Sequence, residues 1–195
     1  MYPESENPHE INNLPLLQFT GNTVIVNNRE LEQTCLDELT GIDLIGFDTE
    51  TKPSFKKGQS FPVAMIQLAK SDKAYIFRIG QYGLTQNMVE LFEDPKVRKV
   101  GIAIKDDLSS LQKLNHFEPQ GFLDLSKLAL EVGLKKTGIR NLTSILLGNR
   151  ISKKQQTSNW ESSTLTENQI IYAATDAWVC IDLFKKLDQM SSDQG

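Results

Sequence analysis

Four carboxylates and one tyrosine constrain this chain most, because each belongs to an apolar stretch that must end up inside. Asp48 and Glu50 stand in LIGFDTET, Asp107 in GIAIKDDLSSL, and Tyr172 and Asp176 in IIYAATDA. A charge beside a core is costly unless something compensates it, and several carboxylates gathered there point to cations. With oxygen ligands alone, magnesium or manganese is expected. That chemistry leads towards phosphodiester hydrolysis.

The surrounding chain is compatible with one domain. Its 195 residues suffice for a sizeable core, and 39% hydrophobic with 24% charged residues is ordinary for a globular protein. No run approaches the roughly 18 consecutive apolar residues of a membrane span. The start, MYPESENPHEINN, lacks the basic and apolar regions of a secretory signal. An intracellular protein is expected, cytoplasmic if bacterial and nuclear if eukaryotic, with no membrane partner. Cys35 and Cys180 form no CxxC pair or zinc set and read as buried reduced thiols, in keeping with a reducing compartment. Neither His9 nor His116 has a partner at metal-ligand spacing.

Net charge is −4, which by itself argues against a polyanionic partner, but its distribution argues otherwise. From Met1 to Glu50 there are ten acidic residues and one basic residue, Arg29. Between Leu134 and Trp160 stand Lys135, Lys136, Arg140, Arg150, Lys153 and Lys154, with no acidic residue. Lys52, Lys56 and Lys57 follow directly on Glu50. An acidic chain with a local basic stretch beside a carboxylate cluster suits a metal-dependent enzyme holding a polyanion.

Along the chain, residues 1–20 have no clear period and contain three prolines, so they read as a flexible N-terminal arm. Residues 21–190 form the expected domain, and 191–195 a C-terminal tail. Strands are expected over TVIVN, Ile42–Asp48, Val63–Leu68, Ala74–Ile79 and Arg98–Ile104. An Asn27-x-x-Glu30 capping pattern opens a first helix, and further helices cover Leu84–Phe92, Leu125–Val132 and Leu142–Leu147. Gly148–Trp160 reads as a loop. Thr166-x-x-Gln169 is a capping box that opens the last helix. Strands alternating with helices imply a mixed α/β sheet with helices on its faces.

Side chains alternate along a strand, so Asp48 and Glu50 share one face while Phe47 and Thr49 share the other. Two like charges on one face repel, and a divalent cation removes that cost. Asp107 lies on the first turn of a helix, where Asp106 competes for the same role and either could simply cap it. Tyr172 and Asp176, four apart, share a helix face. Their neighbours Ala173, Ala174 and Ala177 are small enough to let that helix approach the sheet closely. Met65, Phe55 and Trp160 read first as packing, and Arg140 with Asn141 as a helix entry.

Together, F47-D-T-E50, G101-I-A-I-K-D-D107-L and Y172-A-A-T-D176 resemble the three motifs of the DEDD superfamily of 3′–5′ exonucleases, tyrosine subclass. The wording is nearest to exonuclease domains of the Werner syndrome and ribonuclease D-like type. S158-N-W160, L165-T-E-N-Q169 and V63-A-M-I-Q-L68 extend the likeness over roughly Val24 to Leu187. Tyr172, four before the last aspartate, marks the subclass; the histidine counterpart would stand at Ile171. Lys105 and Asp106 are the local departure, and the family pattern favours Asp107 over Asp106.

The resemblance implies a ribonuclease H-like (DnaQ-like exonuclease) fold with a five-stranded mixed sheet flanked by helices. It implies Asp48, Glu50, Asp107, Tyr172 and Asp176 as catalytic residues, the four carboxylates holding two divalent cations, Mg²⁺ or Mn²⁺. Tyr172 would orient the attacking water. Nucleic acid is the implied partner, DNA ahead of RNA because the chain stops soon after the last motif. A ribonuclease D-like exoribonuclease is the alternative, and a silent nucleic-acid-binding module of the same fold a further one. Lys52, Lys56, Lys57, Lys153 and Lys154 are candidates for the phosphate backbone.

Overall fold

The structure, a computed structural model, describes residues 8–56 and 58–193. A short helix, α1 (Pro8–Asn13), precedes the first strand, β1 (Asn22–Val26), whose β-branched NTVIV suits a pleated surface. Helix α2 (Arg29–Asp37) starts one residue later than the capping pattern suggested. Asn28 is its cap, accepting the Leu31 N–H at 2.9 Å.

There follow β2 (Leu44–Thr51), β3 (Val63–Ala69), β4 (Lys73–Phe77), α3 (Ile79–Tyr82), α4 (Gln86–Glu93) and β5 (Arg98–Gly101). The second half holds α5 (Lys105–Gln112), β6 (Phe122–Asp124), α6 (Leu125–Glu131), α7 (Ile139–Leu147) and α8 (Glu167–Ser192). Thr166 and Gln169 form the expected capping box at the start of α8. Among the described residues, no helix is long and apolar enough to cross a membrane.

The sheet is mixed, in the order β1-β4-β3-β2-β5-β6. It therefore has a sixth strand where five were expected. The extra strand, β6, is only three residues long, too short to show an alternating pattern in sequence. Strand β2 is central, antiparallel to β3 and parallel to β5.

Each face of β2 meets a different layer. Ile45 and Phe47 belong to a core that includes Cys35 of α2, Met88 and Phe92 of α4, and Leu111 of α5. Burying each such side chain is worth about 1.5–3 kcal/mol. The opposite face lies under α8. Gly46 is the contact point: a Cβ there would stand 1.9 Å from the Ala177 carbonyl oxygen. Ala174 and Ala177 pack against Ala69 and Ala74 in the same layer, so the small residues do let α8 approach closely.

Residues 14–19 differ from the expected flexible arm. Leu17 N–H donates to the Arg150 carbonyl at 2.7 Å and Arg150 N–H to the Pro15 carbonyl at 2.9 Å, making a parallel bridge. Phe19 is buried, its N–H bound to Thr175 Oγ1 at 3.0 Å and its ring 5.6 Å from that of Trp178. The segment is a strap across α8 and the loop before it. The part of the expected arm comprising residues 1–7 lies outside the described residues. In the expected C-terminal tail, α8 continues to Ser192, and residues 194–195 lie outside the described residues.

Candidate active site

Strand β2 runs through Glu50 to Thr51, so Asp48 and Glu50 sit within the strand rather than where it ends. Ordinary alternation puts both on the α8 side. From above, α8 supplies Asp176. Asp48, Glu50 and Asp176 each offer a carboxylate oxygen within 4.8 Å of the others. Asp176 is 5% exposed, and its Oδ1 has no hydrogen-bond partner.

Asp107 reaches the site from elsewhere. Between β5 and α5 the chain turns through Ala103, at φ 54°, whose N–H is held by Asp124 Oδ1 at 2.9 Å. That turn places Asp107 on the first turn of α5, where it accepts a hydrogen bond from Thr49 Oγ1. Thr49 projects from the face of β2 opposite to Asp48, so Asp107 stands outside the tight trio. Its charge is nonetheless felt at Asp48 and Glu50. Of the two competing aspartates, Asp106 is exposed and Asp107 half-buried. Nothing in the sequence singles out Thr49 for this contact, although it lies between the two motif carboxylates.

The electrostatics are those of a site built for a cation. Burial, then the charges of Asp176 and Asp107, pushes the Asp48 carboxyl well above its ordinary range. Burial and the neighbouring carboxylates, Asp48 foremost, push Glu50 up to about 10. Asp176 is raised by burial to about 7, with a hydrogen bond from Tyr172 acting in the other direction. Burial likewise raises Asp107, against the Thr49 hydrogen bond. Burial and mutual repulsion thus disfavour the charged forms, and a divalent cation would offset that cost. The all-oxygen donor set and the orphaned Asp176 Oδ1 fit Mg²⁺ or Mn²⁺.

Tyr172 lies one turn before Asp176 and within hydrogen-bonding reach of it. Burial first, then the Asp176 and Glu50 charges, raises its hydroxyl far above the ordinary phenol value, so it stays a donor. Trp160, buried as expected, sets its ring 5.8 Å from that of Tyr172.

Beside Tyr172 and Asp176 opens a cleft of about 230 Å³. Strap residue Gln18 lines it together with Arg150 and Lys154. Lys153, Lys154 and Lys56 are exposed. Lys52 is paired with Glu161 at 3.0 Å and lies over the Phe61 ring, while Lys57 falls outside the described residues. Met65 is fully buried, as packing requires, but Phe55 is 86% exposed and is not core. Arg140 enters α7 and donates to Asn12 Oδ1 at 3.1 Å.

Comparison with known proteins places this geometry in context. A family model described as 3′-5′ exonuclease matches residues 23–191. The chain is 31% identical to the bifunctional 3′-5′ exonuclease/ATP-dependent helicase WRN of Mus musculus, over 91% of this chain and 13% of that protein. It is 32% identical to a 3′-5′ exonuclease of Arabidopsis thaliana, over 91% of this chain and 67% of that one. The chain thus spans only a small part of the mouse relative. Among solved structures, the Nibbler EXO domain of Aedes aegypti superposes with TM-score 0.78 at 25% identity, covering 89% of this chain and 90% of that one. RNase D of Escherichia coli, an exoribonuclease, superposes with TM-score 0.80 at 20% identity over 89% of this chain and 46% of that one, a likeness of fold. The fold is ribonuclease H-like.

Proposed function

Since the chain belongs to the 3′–5′ exonuclease family, of DEDD type, and so is a metal-using nuclease of nucleic acid, we propose that Asp48, Glu50, Asp107, Tyr172 and Asp176 are its catalytic residues. The substrate in this reading is DNA, shortened from its 3′ end with release of nucleoside 5′-monophosphates. The observation that carries the reading is the trio Asp48, Glu50 and Asp176, three acidic groups from two elements whose carboxylate oxygens converge within 4.8 Å of one another.

Two divalent cations, Mg²⁺ or Mn²⁺, are the proposed cofactors. When bound they lower the pKa of the attacking water and stabilise the leaving 3′ oxygen. Asp48 would help to hold both. Glu50 and Asp176 would hold the water-activating ion, and Asp107 would help to hold the other. The water oxygen attacks phosphorus and the bond to the 3′ oxygen breaks. Tyr172, kept protonated, orients that water as a hydrogen-bond donor rather than as a base. Lys56, Lys153 and Lys154, all exposed, would meet phosphates, and exposed Phe55 would stack on a base.

Residues 21–190 are proposed as the catalytic unit, with the strap as its accessory. Buried thiols at Cys35 and Cys180 support an intracellular setting. DNA is placed first because the likeness to the Werner-type exonuclease stands at 31% identity, whereas that to RNase D stands at 20%. RNA is the second reading, favoured by that superposition and by an RNase D–RNA complex of Trypanosoma brucei with TM-score 0.76.

The test is a time course with Mg²⁺ or Mn²⁺ on a 3′-recessed DNA duplex and on single-stranded RNA, each labelled at its 5′ end. A descending ladder on DNA that vanishes in Asp48→Ala and Asp176→Ala supports the reading. A ladder on RNA alone would transfer the same residues to RNA trimming. Activity that survives both substitutions would remove them from the catalytic set.

A further inference from the structure

One polar side chain in the sheet has no partner in the interactions described so far. Gln67 of β3 is 0% exposed, yet neither its Nε2 nor its Oε1 has a hydrogen-bond partner. A buried polar group left unmade costs about 1–3 kcal/mol. Apolar residues hold every other position of this buried strand, VAMIQLA. A valine or isoleucine would stabilise position 67 more.

Its place in the sheet is specific. In the antiparallel register of β2 with β3, Gln67 stands directly opposite Asp48. Such cross-strand pairs share a face, with Cβ atoms about 4.5–5.5 Å apart. Met65 and Ala69, two residues away on either side, point the same way. Met65 packs with Ala173 and Trp160, and Ala69 with Ala174 and Ala177. Gln67 therefore lies under the turn of α8 that carries Asp176, whose Oδ1 is also buried without a partner.

We propose that Gln67 is a positioning residue: its Nε2–H donates to the Asp48 carboxylate and holds it in the orientation that grips a divalent cation. This rests on reading the carboxylate cluster as a metal centre. The chemistry suits an amide in particular. A lysine here would compete with the cation for Asp48, and a glutamate would add a further negative charge. An amide can orient a ligand without doing either. Metal-ligating carboxylates are commonly held by such outer partners, whose loss weakens metal binding about 10–100-fold. The terminal torsion of glutamine is broad, so its amide can turn towards the carboxylate at little cost.

The test uses Gln67→Met, which keeps size and removes the amide, and Gln67→Asn, which keeps the amide but shortens its reach. Mn²⁺ binding is measured by calorimetry on the full chain, alongside the metal-free Tm and kcat and KM on an oligonucleotide. The expected result for Gln67→Met is an unchanged or higher metal-free Tm and Mn²⁺ affinity reduced about 10–100-fold. At limiting metal kcat falls while KM for the oligonucleotide holds. Gln67→Asn shows the same weakening, which keeps the test decisive should the methionine variant fail to fold. Wild-type Mn²⁺ affinity in both variants overturns the proposal. Asp48→Asn separates the two levels: if the unsubstituted chain binds Mn²⁺ and Asp48→Asn does not, normal binding in the Gln67 variants removes only Gln67. If the unsubstituted chain binds no Mn²⁺, the metal-centre reading falls with it.

Discussion

Thr49 shows how much of a site can hang on a residue with no charge. It sits between Asp48 and Glu50, faces away from both, and gives its hydroxyl to Asp107. Hydrogen bonds to charged groups are worth about 1.5–3 kcal/mol, so Thr49→Val should lower kcat roughly 10–100-fold with folding retained. Circular dichroism and steady-state rates check this together. The carboxylates themselves predict a pH dependence. Glu50 and Asp176 carry raised values in the fold, about 10 and about 7, so the native state holds more protons than the unfolded chain. Their contribution is therefore complete below the ordinary carboxyl range and is lost as pH rises towards those values. Metal-free Tm should fall from pH 5 to pH 9, and the gain on adding Mn²⁺ should grow over the same range. A metal-free Tm that rises with pH would contradict the assignment. Asp176→Asn should raise metal-free Tm and abolish the Mn²⁺ gain. Strand alternation and the four-residue helical spacing made the shared faces of Asp48 with Glu50, and of Tyr172 with Asp176, legible in the sequence. The Thr49–Asp107 contact was not, because it depends on how the Ala103 turn aims α5.

At the scale of elements, the critical joint is α8 on β2. Gly46 leaves no room for a side chain beneath Ala177. Gly46→Ala must lift α8, costing about 1–3 kcal/mol as overpacking does, and should lose more activity than stability because Asp176 rides on the displaced helix. Thermal melts set against kcat decide this. The capping box at Thr166 and the alanine face made α8 readable in advance. The strap was not readable: LPLLQFT has no period, and its bonds go to Arg150 and Thr175, far along the chain. Similarly β6 escaped notice because three residues cannot display a pattern. Phe19→Ala should cost about 3–5 kcal/mol, the range for emptying a buried aromatic site, where a loose arm would cost nothing. Urea denaturation distinguishes the two.

At the scale of the whole molecule, a chain of net charge −4 presents Lys153 and Lys154 on the exposed loop that borders the cleft. If these two meet phosphates, Lys153→Glu with Lys154→Glu should raise KM several-fold, flatten the dependence of KM on salt, and leave Tm unchanged. An unaltered salt slope would assign the loop to plain surface. The seating of α8 has one more consequence. Its residues from Ala173 to Val179 are almost all buried, and they carry one wall of the carboxylate cluster through the middle of the hydrophobic interior. Amide protons there should exchange with solvent only when the entire chain opens, as slowly as those of β2 and β3. Loops that handle substrates usually belong to the weakest-held parts of a protein; here the helix that carries Asp176 would be among the last regions to take up deuterium.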